Sequence, residues 1–455
     1  MTFVGAPVRS QIASSSALVR RAGACALLGG AMLVGCFDPS DPPGAATEAA
    51  DSTTATSSPS SSTASGTTMG TSATESTSGA DGPTSTSEPI DTSDTTITGA
   101  DESSTGEPSN CPGGAPTAGE APYVLTTVIA AQDTDDVDIG DINGDGHLDL
   151  ISLSRIDTSV ESFWGDGAGA FESDGVTMLG MQGYPDTVRL GAIADDTVDL
   201  FVHMEGPVEL WVVRGDGAGN WPSPQVYDLT YVRAIDMADL NGDGVLDLAY
   251  VGASNLEVRL GAANETYEAS AAYGENYGNV VRAADISGDG FLDLLTAGYG
   301  ATELEIYSGY GEGSFAAELT LVTGSPIAGI DVGHFDADEH LDMVLTTAED
   351  LRVFYGEARG GISSTPGTII EGALGRVRVA DIDADGLDDL VTHASAAVEI
   401  RFSVGDRTFT AATPFACSTF LRNLEIGDLN EDCVPDLVGP MGPGEDLCVL
   451  LSDRD

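Results

Sequence analysis

The chain has 455 residues, and 73 acidic side chains face 17 basic ones, for a formal charge of −56. Such a surface repels polyanions, which excludes nucleic acid and anionic lipid headgroups as direct partners. All seventeen basic residues are arginine.

Arg9, Arg20 and Arg21 precede an apolar run, Ala22–Val34. Its thirteen residues are too few to cross a bilayer as a helix, and the pattern reads as an export signal over residues 1–35. The tetrapeptide Leu33-Val34-Gly35-Cys36 resembles the lipobox of bacterial lipoproteins. That resemblance implies cleavage before Cys36, lipidation of Cys36, and membrane contact only through this anchor. Residues 36–118 read as a linker. Between Phe37 and Asn110 there are twelve acids and no basic residue, among Ser, Thr, Gly, Ala and Pro. A segment with so little apolar surface cannot offset its chain entropy and is expected to be disordered. As a coil its ends would lie roughly 45 Å apart.

Residues 119–455 hold the remaining 14 arginines and 61 acids, a formal charge of −47. A ten-residue stretch organises this region: Asp141-Ile-Asn143-Gly-Asp145-Gly146-His147-Leu-Asp149-Leu150. Oxygen-bearing side chains at positions one, three, five and nine, and the backbone carbonyl at seven, suit a hard divalent cation such as calcium. An EF-hand would need Glu at position twelve and a following helix. Position twelve is Ser152, and the loop runs into the apolar Leu148–Leu153, a strand pattern. Four more copies supply Asp239, Asn241, Asp243, Val245 and Asp247; Asp285, Ser287, Asp289, Phe291 and Asp293; Asp381, Asp383, Asp385, Leu387 and Asp389; and Asp428, Asn430, Asp432, Val434 and Asp436. A weaker copy has His334 at position one and Glu339 at position six, but keeps Asp336, Asp338 and Asp342. A shrunken copy, Gly191–Leu200, keeps Asp195, Asp196 and Asp199. Five calcium sites are expected, with a sixth open at the His334 loop.

The seven copies recur every 47 residues or so, which marks a propeller or solenoid. Each loop joins two strand-like runs, Val137–Ile142 and Leu148–Leu153 in the first repeat. A third run follows at Val160–Trp164. An aromatic or aliphatic residue then opens a fourth: Phe171, Trp221, Tyr267, Phe315, Ile362 or Phe409. Four antiparallel strands per repeat make a blade. The last repeat lacks a fourth strand, and Tyr123–Ala130 is a spare one. The expected fold is therefore an all-β, seven-bladed propeller closed by its N-terminal strand, which leaves no exposed sheet edge.

These repeats resemble FG-GAP/VCBS repeats, and the ring resembles the propeller of integrin α subunits. The resemblance implies calcium in the strand one–two loops on a lower face and partners on an upper face. No zinc-protease helix, nucleophile elbow or phosphate loop is present, so the chain is read as a binding protein rather than an enzyme. The favoured reading is a lipid-anchored adhesion or protein-interaction module of the cell envelope, acting as a monomer. Its alternatives are a calcium-dependent lectin and a polysaccharide-active lyase or hydrolase.

Arg189, Arg233, Arg282, Arg376, Arg378 and Arg422 all fall at or just before the first strands. They form either an anion-binding mouth or ion pairs between blades. Tyr184, Tyr227, Tyr231, Tyr273 and Tyr277 belong to the same upper connections, as ligand contacts or as packing. Four cysteines beyond Cys36 allow three disulfide pairings. Placement by face joins Cys111 with Cys433, and Cys417 with Cys448.

Overall fold

Seven four-stranded antiparallel sheets, arranged as a ring of blades, make up the fold, with no helix among the described residues. The computed structural model describes residues 123–452, apart from 132, 181–182, 195–196, 206–207, 230–231, 253–254, 265, 269–270, 275–277, 359, 373–374, 395–396, 416–422 and 442–445. The signal, Cys36, the linker, Cys111, Asp195, Asp196, Tyr231, Tyr277, Cys417 and Arg422 lie outside the described residues.

Blade one consists of Thr134–Gly140, Asp149–Ser154, Ser159–Gly165 and Phe171–Met178, paired in that order. Burial falls from the inside outward. Every residue of Asp149–Ser154 is buried, whereas most of Phe171–Met178 is exposed. The second strand is covered on both faces by the adjoining blades, which is why it reads as a continuous apolar run and not as an alternation. The inner strands of blades two to six are Pro185–Gly191, Ala234–Ala238, Gly278–Ala284, Ile327–Gly333 and Val377–Ala380. A bulge interrupts the inner strand near its upper end in blades one, two, four and five, and re-aims side chains there.

The last blade is closed as expected. Glu425–Gly427, Asp436–Pro440 and Leu447–Ser452 pair in sequence order, and Tyr123–Ile129 adds the outer strand, with Tyr123 opposite Ser452 and Ile129 opposite Leu447. Each seam between blades has its own apolar core. Val188, Leu200 and Val202 meet Ile151 and Leu153 at the first seam, while Val137, Leu150 and Phe163 meet Leu429, Val438 and Val449 at the closing one. Each such buried side chain is worth about 1.5–3 kcal/mol. The closing seam is therefore built like the other six.

Two expectations need correction. Phe171 and Phe315 open fourth strands, but Trp221, Tyr267, Ile362 and Phe409 do not. In those blades the outer strands are Gln225–Asp228, Ala271–Tyr273, Thr368–Glu371 and Thr413–Phe415. The apolar residue instead plugs the turn ahead of the strand: Ile362 bridges Gly356, and Phe409 bridges Ser403. Likewise Tyr227 and Tyr273 lie in fourth strands and pack. Tyr227 stacks edge-on with Tyr267, and Tyr273 with Phe315.

Candidate metal-binding loops and the central channel

The loop sequence dictates its own backbone. In blade one, Asp141 Oδ1 accepts the Gly144 and Asp145 amides at 2.8 and 3.1 Å, and its Oδ2 accepts the Gly146 amide at 2.9 Å. Asn143 accepts from the Asp145 amide, and Asp145 from the His147 amide. Gly146 must reach φ +91° to close this turn, a region that favours glycine. The same pattern holds at Asp239, Asp285, Asp381 and Asp428. Cys433 stands where the other four have glycine, and it takes φ +66°.

Position nine has a second task. In all seven blades its aspartate is buried. In each, Oδ2 accepts a loop amide and Oδ1 accepts the amide that ends the third strand. In blade one these donors are Ile142 at 3.0 Å and Gly165 at 2.9 Å. Asp199, Asp247, Asp293, Asp342, Asp389 and Asp436 repeat the arrangement. The donor at the strand end is glycine in five blades because the loop backbone crosses so close. A Cβ at Gly165 would lie 2.1 Å from the Leu148 carbonyl oxygen. This aspartate thus ties the strand one–two loop to the strand three–four turn and places both on one face.

Do these residues fit a calcium ion? The donor set is all hard oxygen. In blade six, one oxygen each of Asp381, Asp383 and Asp385 lies within 4.8 Å of the others, a spacing that ligands at about 2.3–2.6 Å from a shared cation would have. Burial pushes Asp389 up to about 9, with neighbouring Asp383 and Asp381 adding to the push. Burial likewise raises Asp247 and Asp436 to about 7. Carboxylates crowded in this way are short of positive charge. None of the five position-one aspartates has an arginine partner among the described residues.

The two degenerate loops differ. Asp336, Asp338 and Asp342 also converge within 4.8 Å. Here, however, the Arg407 guanidinium from blade six reaches in, with Nε 2.6 Å from Asp336 and Nη2 3.5 Å from Asp338. It lies 4.4 Å over the Tyr355 ring, which holds it in place. Arg407 takes φ +65°, where the matching turn positions of blades one, two and four are Gly169, Gly219 and Gly313. In the shrunken loop, Arg214 pairs with the buried Asp199. Each loop that departs from the repeated oxygen pattern has an arginine on one or more of its acids.

The inner strands place a second charge pattern around the channel. The residues that match Asp138 in register are Arg189, Asp236, Arg282, Asp331, Arg378 and Glu425. Acid and arginine alternate from blade to blade. Asp138, Asp236 and Asp331 accept the inner-strand amides of Leu190, Ala283 and Val379 in the next blade, at 2.6–2.9 Å. Arg282 pairs with Asp331 at 2.9 Å, Arg378 with Glu425 at 3.3 Å, and Arg189 with Asp136 at 3.1 Å. These three arginines are ties between blades. With seven positions the alternation cannot close, so Glu425 and Asp138 meet at the closing seam. Burial, then Glu425, pushes Asp138 up to about 8.

Arg233 and Arg376 lie above this ring. Arg233 lies 4.6 Å from the centre of the ring of Tyr299, which sits in a strand two–three turn where no repeat pattern marks it. Arg376 has no hydrogen bond or ion pair among the described residues.

FG-GAP-like repeats match residues 194–250, 239–296, 285–345 and 381–439. No curated protein sequence matches the chain. Among solved structures, a lectin of Agrocybe aegerita that recognises non-reducing terminal N-acetylglucosamine is similar over 72% of this chain and 86% of its own, at 14% identity and a TM-score of 0.50. BBS1N, solved in complex with ARL6DN, is similar over 73% of this chain and 96% of its own, at 11% identity and a TM-score of 0.51. At these identities the likeness concerns the fold. With four matched repeats inside seven blades of one design, the chain carries FG-GAP-like repeats, and its propeller resembles that of integrin α subunits.

Proposed function

We propose that this protein is an exported, lipid-anchored binding module whose propeller is stiffened by five calcium ions. The observation that carries the calcium reading is the contrast between loops. An arginine sits on Asp199 and another on Asp336 and Asp338 in the two degenerate loops, and among the described residues none sits on the position-one aspartates of the five intact ones. A bound calcium would supply that missing charge, held in blade one by Asp141, Asn143, Asp145, the His147 carbonyl and Asp149. Elemental analysis after gel filtration in calcium tests this. Five equivalents are expected, and fewer than four would overturn it.

Calcium on the lower face leaves the upper face for the partner, and binding rather than turnover is the activity proposed there. A protein partner at the cell envelope is the first reading. The exposed Tyr184 and Tyr299, each beside an arginine, favour a glycan as the second. Related folds do not choose between them, since one neighbour holds a sugar and another a protein. Capture from an envelope extract, with and without calcium, tests the first reading, and a glycan array tests the second.

The same placement carries a proposal for the cysteines. Cys448 lies opposite Gly439, high on its strand, while Cys433 sits in the lower loop. About four residues of strand, or roughly 13 Å, separate their levels, too far for a bond between them. Neither is a free thiol. Cys111 with Cys433, and Cys417 with Cys448, are the pairs proposed. Peptide mapping without reduction should find both, and a Cys111–Cys448 peptide would refute the assignment.

A further inference from the structure

Arg376 stands at the upper end of the inner strand of blade six, one residue before Val377–Ala380. It lines a cavity of ≈ 150 Å³ in the channel, together with Asp186, Arg189, Arg233 and Arg378. At on the order of 30 Å³ per water, the space suits a few waters or one small organic anion. The Arg376 residue is exposed to the channel. Neighbouring protein atoms and the adjacent Arg378 disfavour its charge, while Asp136 and the cavity-lining Asp186 favour it from a distance. Among the described residues no carboxylate is within ion-pair distance of this guanidinium, unlike those of its neighbours. Arg189 has Asp136 and Arg378 has Glu425. His393 reports the same positive field, since burial, then Arg376 and Arg378, lower it to about 4.

Aromatic surface lies outside this lining, linked to it through arginines. Tyr299 is 64% exposed and lies against the cavity-lining Arg233. Tyr184 is 62% exposed and lies 5.8 Å from Arg155, whose guanidinium pairs with the cavity-lining Asp186 at 3.2 Å. An open aromatic face is a platform for a sugar ring. A chain of formal charge −56 repels polyanions, so the missing carboxylate belongs to a small molecule and not to an acidic macromolecule.

We infer that the upper mouth of the channel is a binding site for a sugar acid, its carboxylate on Arg376 and its ring at the tyrosine rim. This rests on the proposed reading that the upper face binds ligand, and it names the ligand class. Titration calorimetry of the calcium-loaded full chain with glucuronate, glucose, acetate and inorganic phosphate tests it. Glucuronate should bind at least tenfold tighter than glucose or acetate. Arg376→Gln should weaken glucuronate at least tenfold and leave the melting temperature unchanged, because the native side chain has no hydrogen bond or ion pair to lose among the described residues. Tyr184→Ala or Tyr299→Ala should weaken glucuronate and leave acetate unchanged. Glucuronate no tighter than glucose, phosphate as tight as glucuronate, or an unaffected Arg376→Gln variant would each overturn the inference. Capture of one protein partner equally by the native chain and by Arg376→Gln would overturn it too, while leaving the broader binding reading in place.

Discussion

Five loops and two loops of one repeat show two solutions to the same electrostatic problem. The fold needs a tight turn under each inner strand, and aspartates build it by accepting backbone amides. That construction collects carboxylates at one point. In blades one, three, four, six and seven the loop keeps oxygen-bearing side chains at positions one, three, five and nine. In blades two and five, positions one and six have drifted, and Arg214 and Arg407 lie on the remaining acids. The position-nine aspartate is buried in both classes, because its work is to tie two turns together whatever neutralises it. On the proposed calcium reading, a repeat keeps its geometry without the ion when a cation from the chain itself takes its place.

The largest effect that separates the classes should come from chelation. Extracellular-type sites bind at about 0.1–1 mM, so at about 1 mM calcium each contributes roughly 0.4–1.4 kcal/mol. Five independent sites then contribute about 2–7 kcal/mol. Chelator should lower the melting temperature by many degrees, and calcium, but not sodium, should restore it. Hydrogen exchange sharpens the point. Amides of the five intact loops should lose protection on chelation, and those around Asp199 and Asp336 should not. A melt insensitive to chelator would break the comparison outright.

Arg214→Gln comes next. Its partner Asp199 is almost fully buried, so the variant leaves a carboxylate without its counter-charge. A loss of about 2–3 kcal/mol in calcium-saturated buffer is expected. The shrunken loop is one residue short, so no metal should take the place of Arg214. If urea denaturation shows a loss below about 0.5 kcal/mol, the arginine is not standing in for a cation.

Arg407→Gln is the milder and more diagnostic change. The Arg407 side chain is half exposed, so its ion pairs are screened and their loss should cost only about 1 kcal/mol without metal. Its three acids stay together, however, so calcium should now enter. The expected readout is one additional equivalent of bound calcium relative to the native chain. No additional equivalent would mean that the His334 loop fails as a metal site for a reason other than the arginine.

Much of this contrast was legible in the residue order. The period, the strand pattern, the ring closure by Tyr123–Ile129 and every loop acid follow from spacing alone. Arg407 stands where other turns have a left-handed glycine, and Arg214 where most other blades carry an apolar residue, but a signal of that kind has no meaning until the facing blade is known. The alternating channel ring was equally visible as the residue three places before each loop, except in the shrunken repeat, where the count slips by one at Arg189. Choosing between an anion mouth and inter-blade ties required the third dimension. Three arginines proved to be ties, and Arg376 was left over. Fourth-strand starts were misread at Trp221, Tyr267, Ile362 and Phe409 because an apolar plug for a turn and the first residue of a strand look alike in sequence.

The smallest expected effect tests the ring's odd number. Seven alternating positions force Asp138 and Glu425 together at the closing seam. Asp138 is pushed up to about 8 there, against an ordinary unfolded value of about 3.9. The native state thus holds a proton that the unfolded chain has released, and stability must fall as pH rises between those two values. The slope from one such group is at most about 1.4 kcal/mol per pH unit, and it vanishes above the folded value. Glu425→Gln removes the like charge but keeps an oxygen for Asn423 and Arg378, so Asp138 can ionise earlier. With all loops saturated in calcium, melting temperatures from pH 5 to pH 9 should fall less steeply in Glu425→Gln than in the native chain. The two curves should meet toward the acid end, where Asp138 is protonated in both. Parallel curves would mean that the two acids do not share a proton, and that the ring tolerates its broken alternation by some other means.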